Sequence, residues 1–361
     1  MLAIAIAVLI PLAFLGLVQR LDLYASGSVR TVLACMGWGV VAFVAAYLTN
    51  NVLLRVVSYA MLVVLVAPIV EEIIKSLILV YYVRQPTFTY FVDGAIYGFA
   101  VGSTFGILEN LLYLSRINSE SSLALALTRA FSTSLMHGNA SALVGIALGR
   151  LRFGRGVTRL LAVGLGWAAA IALHMAFNRL ISQRWGVMAV LLAILVGIGG
   201  VILNIGFIHW GLREERRWLQ EMLGRDATVS AGESAVVQQM AVLHRLLAPV
   251  GERFGAEKRQ QVETFLRLQA QLGLKRKVEE LTPDPRLRTE TAAQIAALRR
   301  EIDQLRRAIG LYCMSYVRSI LPPETEPIWN RLQGALAKSP TTSTANLWSS
   351  LHRKLEDQTN S

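Results

Sequence analysis

Pro68-Ile69-Val70-Glu71-Glu72-Ile73-Ile74-Lys75 sets two carboxylates and an ammonium within about one helical turn of an otherwise apolar run. In a helix, Glu71 stands four residues and Glu72 three residues before Lys75, so both carboxylates are expected within reach of one ammonium, with one negative charge left over. An ionised side chain at the centre of a membrane-spanning helix costs roughly 2.5–3.5 kcal/mol. Such a triplet is therefore expected to face the interior of a helix bundle. The next apolar run repeats the pattern in Phe105-Gly106-Ile107-Leu108-Glu109-Asn110, where Gly98, Gly102 and Phe105 share the face of Glu109 and would let a neighbouring helix approach closely. The two runs after that carry His137, beside Thr133, Ser134 and Ser141, and His174 with Asn178 one turn later. Six ionisable groups on four successive apolar runs imply one shared polar site.

Composition points the same way. The chain of 361 residues is 54% hydrophobic and only 17% charged, with a mean hydropathy of +0.46, against about 25% charged residues in an ordinary soluble protein. The spacing of the apolar runs predicts an all-α fold: a polytopic membrane bundle of about seven spans followed by a soluble helical C-terminal region. The spans are expected near residues 1–18, 31–49, 55–81, 92–114, 122–149, 158–180 and 186–210. The first lacks a basic segment before its apolar run and is read as a retained helix, not a signal peptide.

The connector after the fifth span holds Arg150, Arg152, Arg155 and Arg159, and the seventh exits into Arg213, Arg216 and Arg217. Against the two arginines Arg179 and Arg184 on the other side, this predicts a multi-pass protein of the cell membrane with its N-terminus outside and its tail in the cytoplasm. Tyr81, Tyr82, Trp185 and Trp210 are the expected interfacial anchors.

The chain is thus expected to divide into a multi-span membrane domain, 1–210, and a cytoplasmic helical tail with flexible linkers, 211–361. The tail holds 23 of the 36 Lys and Arg and 18 of the 24 Asp and Glu. Within it, Glu290–Leu311 carries Ile295, Leu298, Ile302, Leu305 and Ile309 at steps of three and four, an amphipathic helix. Breaks are expected at Gly224–Gly232, at Thr282-Pro283-Asp284-Pro285 and at Leu321-Pro322-Pro323-Glu324, with a linker over Lys338–Asn346 before one short final helix. The net charge of +12 is assigned to attraction by anionic lipid; there is no nucleic-acid motif. Cys35 and Cys313 form no metal-binding pair and no disulfide framework.

Glu71-Glu72-x-x-Lys75, Phe105-x-x-x-Glu109-Asn110, the isolated His137 and His174-x-x-x-Asn178 resemble, in order, the motifs of the PrsW family of intramembrane proteases, distant relatives of the CAAX prenyl endopeptidases. The resemblance covers about residues 55–180. It departs from the family in Asn178, where Asp is frequent, and in the residue after His174, which is not Gly. It implies hydrolysis of a peptide bond in or beside the membrane, in known members as the first cut of a membrane-bound anti-sigma factor.

The chemistry can also be built from the residues. Amide hydrolysis needs an activated water, a stabilised oxyanion and a proton for the leaving amine. Glu71, Glu72, Lys75, Glu109, His137 and His174 are the candidate catalytic residues, and Phe105, Asn110 and Asn178 the supporting ones. Glu72, Glu109, His137 and His174 are the candidate ligands for Zn²⁺, the cofactor such a set suits. No HExxH is present, and the sequence does not decide between a glutamate protease and a metalloprotease. The expected partners are a membrane-protein or peptide substrate and the lipid bilayer, with self-association as a homo-oligomer left open. The alternative function is an ion- or proton-coupled transporter using the same buried carboxylates, although no inverted repeat accompanies them.

Overall fold

The computed structural model describes residues 1–24, 28–116, 122–154, 156–182, 187–225, 237 and 243–320. These fold as helices and connecting turns, without strands among the described residues. In chain order the membrane region comprises α1 (Leu2–Arg20), α2 (Val29–Leu53), α3 (Tyr59–Met61, a π-helical turn Leu62–Val66, then Ala67–Tyr82), α4 (Phe91–Leu114), α5 (Ser122–Arg129, a second π-helical turn Ala130–Ser134, then Leu135–Leu151), α6 (Gly156–Ile181) and α7 (Val187–Gly224). The tail adds α8 (Leu243–Leu246), α9 (Ala248–Phe254), α10 (Ala256–Leu281), α11 (Pro285–Ile309) and α12 (Leu311–Ile320).

A helix stands at each expected span, and four of them, α1, α2, α4 and α7, are unbroken runs long and apolar enough to cross a bilayer. Their surroundings differ. α1 and α2 leave Leu9, Leu33, Leu48 and Val52 exposed, as lipid-facing helices do, whereas α4 is buried along nearly its whole length. α4 is the centre of the bundle, packed against α1, α2, α5 and α7.

The closest contact in the bundle is between α4 and α5, and glycine makes it possible. Gly94, Gly98, Gly102 and Gly106 recur every fourth residue; a Cβ on the first three would collide with the carbonyls of Gly145, Ser141 and His137, and one on Gly106 would sit 2.7 Å from Ser134 Cα. Backbone therefore lies on backbone along four turns, which only a small-residue stripe allows.

The seventh helix differs from its expected end near residue 210. α7 continues unbroken for 38 residues to Gly224, about 57 Å at 1.5 Å per residue and far more than the roughly 30 Å of a hydrocarbon core. Its last turns carry Trp218, Leu219, Met222 and Leu223 into the core of the tail, where Leu219 and Leu223 pack on α10 at Gly273. α10 and α11 form an antiparallel hairpin. Its turn falls at the expected proline break, where Asp284 caps α11 by accepting from the Arg286 N–H at 2.9 Å. On α11, Ile295, Ile302 and Ile309 are buried and Leu298 and Leu305 partly so, the seam expected from their spacing. The tail also touches the α3–α4 connection, where Lys275 donates to the Pro86 carbonyl; Arg152, just past α5, donates to the carbonyls of Gln85 and Phe88. Trp185, most of the Gly224–Gly232 break, the Leu321–Glu324 break, the Lys338–Asn346 linker and the final short helix lie outside the described residues.

Candidate active site

The site begins with two wide turns. In α3 the π-helical turn over Leu62–Val66 precedes Pro68, whose ring has no N–H to return to the helix, and Glu71 and Glu72 follow one turn later. In α5 the turn over Ala130–Ser134 stands immediately before His137. Asn178 on α6 is fixed by the first of these, donating through Nδ2 to the Val63 carbonyl at 2.9 Å.

Adjacent positions on a helix point about 100° apart, and Glu71 and Glu72 accordingly meet different partners. Glu72 is fully buried; its Oε1 lies 2.5 Å from Lys75 Nζ and 2.9 Å from His174 Nδ1. Glu71 turns toward α2, where Asn50 Nδ2 donates to its Oε1 at 3.1 Å, and its Oε2 lies 3.8 Å from His174 Nε2. Of the two carboxylates expected within reach of Lys75, Glu72 is the one it meets. Lys75 pairs with Glu72, and its remaining contacts are His137 Nδ1 at 3.0 Å and the Phe105 ring, whose centroid is 4.6 Å from Nζ.

These contacts fix proton positions. An ammonium only donates, so His137 Nδ1 accepts from Lys75 and its Nε2–H donates to Glu109 Oε2 at 2.9 Å. A carboxylate accepts, so the His174 Nδ1–H donates to Glu72, while Nε2 faces Glu71 Oε2 at 3.8 Å. The two imidazoles stand perpendicular with centroids 4.7 Å apart.

Glu109, alone on its own helix, is not unpaired. Arg129 of α5 approaches its Oε2 at 3.3 Å, donates from Nε to Asn110 Oδ1 at 2.9 Å and lies over the Tyr113 ring. Asn110 in turn donates to Ser134 Oγ at 2.7 Å. All six expected ionisable residues, with Phe105, Asn110 and Asn178, thus converge on one cluster. Arg129 and Asn50 are additions that the sequence reading omits. The only signal for Arg129 is a lone cation at the border of an apolar run, where an ordinary interfacial anchor looks the same.

A cavity of about 200 Å³ opens onto this cluster and is lined by Glu71, Glu109, Arg129, His174, Asn178 and Tyr59, among others. It lies toward the ends of α2, α4 and α6, where Asn51, Arg116 and Ile181 form part of its wall.

The group able to hold a metal ion is Glu71, His137 and His174, each offering one atom, all within 4.8 Å of one another. This differs from the expected ligand set, since Glu72 is occupied by Lys75 and His174, and Glu109 by His137 and Arg129. Ligands of a tetrahedral zinc at 2.0–2.1 Å would stand about 3.3 Å apart, so a contraction of up to about 1.5 Å would be needed to close the group. His174 already has half the arrangement of a zinc ligand, with Nδ1–H on a carboxylate and Nε2 turned toward Glu71. His137 is held at both nitrogens and would join only on releasing Lys75 or Glu109.

The family model described as PrsW family intramembrane metalloprotease matches residues 27–204, a stretch that holds every side chain of this cluster. No curated protein and no solved structure matches the chain. The transporter alternative gains nothing from this match. With the glutamates, the lysine and the histidines gathered in one site inside the matched region, residues 27–204 are those of a PrsW family intramembrane protease.

Proposed function

We propose that this protein is a zinc-dependent endopeptidase that cuts a membrane protein in or beside the bilayer, at the cavity bordered by Glu71, Glu109, Arg129 and His174. The observation that supports this best is the Glu71, His137 and His174 group, in which Glu71 has no ion pair with Lys or Arg among the described residues, whereas Glu72 and Glu109 are paired with Lys75 and Arg129. One carboxylate is thus in excess of those pairs. In a low-dielectric interior that excess calls for a proton or a metal ion, and imidazole with carboxylate suits zinc.

Bound zinc would supply Lewis acidity, bringing the pKa of its water near 7 and polarising the scissile carbonyl. The chain's residues do the rest. Glu71, His174 and, once freed, His137 would hold the ion; Glu72 would orient His174 through its Nδ1, and Lys75 neutralises Glu72. Glu109 sits in the cavity wall, oriented by His137 and Arg129, and is assigned the transfer of the water proton to the leaving amine. Arg129, also in that wall, is assigned to the developing oxyanion.

The substrate class proposed is a single-span protein of the anti-sigma-factor kind that the resemblance implies. Residues 1–210 are assigned the chemistry and 211–361 a cytoplasmic role, in a multi-pass protein of the cell membrane with its N-terminus outside. The arginines at 150, 152, 213, 216 and 217 support that orientation, and with it the cavity opens on the outer side.

The test is zinc content and cleavage measured on the same purified preparations. About one zinc per chain is expected, lost in Glu71→Gln and His174→Ala, with cleavage of a single-span test protein abolished by chelator and restored by zinc. Glu109→Gln should keep its zinc and lose about 10²-fold or more in cleavage. Undiminished cleavage in all three variants overturns the assignment.

A further inference from the structure

A second cavity, of about 360 Å³, lies between α5, α6 and α7 and is lined by Asn139, Leu143, Leu173, Leu195, Gly199 and Asn204, among others. Its walls are apolar, but two amides line it. Asn204 is 3% exposed and neither Nδ2 nor Oδ1 has a hydrogen-bond partner among the described residues; Asn139 spends its Nδ2 on the Gly197 carbonyl at 2.9 Å and leaves Oδ1 without one. Polar atoms left unpartnered inside hydrocarbon are costly, and a pair of them in one groove asks for a ligand that can bond both.

Depth selects the ligand. Asn204 is six residues from the interfacial Trp210 and Asn139 eleven from Arg150, about 9 and 16 Å along their helices. Headgroups and ester carbonyls lie at the interface, and acyl chains carry no hydrogen-bonding group. A transmembrane helix bearing a polar residue in mid-span reaches this depth. The groove also has an opening for it: a Cβ on Gly199 would meet nothing within 4 Å, whereas one on Gly200 would run into Asn139. Leu173 lines the groove on α6, and Asn178 and Ile181 of the same helix line the catalytic cavity about two turns further on.

We infer that the α5–α6–α7 groove binds the transmembrane segment of the substrate, with Asn139 and Asn204 bonding a polar side chain in that segment, so that the stretch emerging beside α6 is held at the mouth of the active site. This rests on the protease reading for its biological meaning, but binding can be measured without catalysis.

The probe is a labelled polyleucine transmembrane peptide with one central Asn, compared with its all-Leu counterpart. Binding to full-length protein carrying Glu71→Gln is followed by energy transfer in lipid nanodiscs. The Asn peptide is expected to bind at least about tenfold more tightly, and the preference to vanish in Asn204→Leu and in Gly199→Leu. Because Asn204 has no partner to lose, Asn204→Leu should keep or raise the thermal midpoint, which separates lost binding from lost fold. Equal binding of the two peptides, or an unchanged preference in both variants, overturns the inference. Cleavage by the protein with Glu71 intact is scored separately, so a failed protease assignment leaves the binding result standing on its own.

Discussion

At the scale of single residues, the cluster is a chain of buried charges in which each ion leans on the next. Breaking one partner of such a pair costs about 3–5 kcal/mol, since the other is left uncompensated. Arg129 is the sharpest case, because its guanidinium serves Glu109 and Asn110 through different nitrogens. Arg129→Lys keeps the charge but cannot reproduce that fork. We expect it to fold and to lose about tenfold in cleavage, whereas Arg129→Met should lower the unfolding midpoint as well. In the double variant with Glu109→Gln, the loss should be no greater than for Glu109→Gln alone, as groups acting in one unit are not additive; a multiplicative loss measured in the same cleavage assay would show that Arg129 acts elsewhere. The six ionisable side chains of the cluster were legible in the sequence because hydrocarbon tolerates no solitary charge. Arg129 was not, because its partner lies twenty residues earlier on another helix and only packing joins them. The choice between Glu71 and Glu72 was equally hidden, since it depends on how α3 is rotated after its wide turn.

At the scale of elements, the α4–α5 contact positions the histidine. Gly102 faces the carbonyl of His137 itself, so a methyl group there must push away the residue whose Nε2 holds Glu109. Gly102→Ala is expected to destabilise by about 1–3 kcal/mol, as overpacking does, and to lower cleavage. Gly16→Ala, at a glycine with open space around it, should leave both unchanged or gain slightly from helix propensity. Thermal unfolding in detergent, read beside cleavage, checks the contrast; equal midpoints for the two variants would mean that the helices can separate without harm. The glycine stripe could be read from Gly98 and Gly102 in the sequence. The π-helical turns could not, since Leu62–Val66 is uniformly apolar and Ala130–Ser134 has only small polar residues to mark it.

At the scale of the whole molecule, Lys275 ties the tail to the α3–α4 connection through the Pro86 carbonyl. Burial pushes its ammonium down to about 8; Asp93 opposes the shift and Arg152 adds to it. The sign follows from linkage. A lysine whose docked pKa lies below its free value of about 10.4 opposes docking at full strength below pH 8, and that opposition fades as pH rises toward 10.4. Hydrogen exchange in α10 is therefore expected to slow, relative to the intrinsic rate, between pH 7.5 and 9.5, and Lys275→Met to remove the pH step. An unchanged step in that variant would assign it to another group. The amphipathic seam of α11 and the proline break before it were visible as spacing and composition. The continuity of α7 was not, because Arg213, Arg216 and Arg217 look like the end of a span whether the helix stops there or runs on.

That continuity makes α7 a shaft, not a tether. One end is embedded beside Asn204 and the groove; the other is clamped into the tail through Trp218, Leu219 and Leu223, with no joint between them to absorb torque. A tilt or twist imposed on the tail end is delivered to the end beside the groove as motion, in the way a lever carries load past its fulcrum. A fusion or truncation made at residue 211 therefore severs the shaft in mid-length, and the informative cut for separating the two halves lies beyond Gly224.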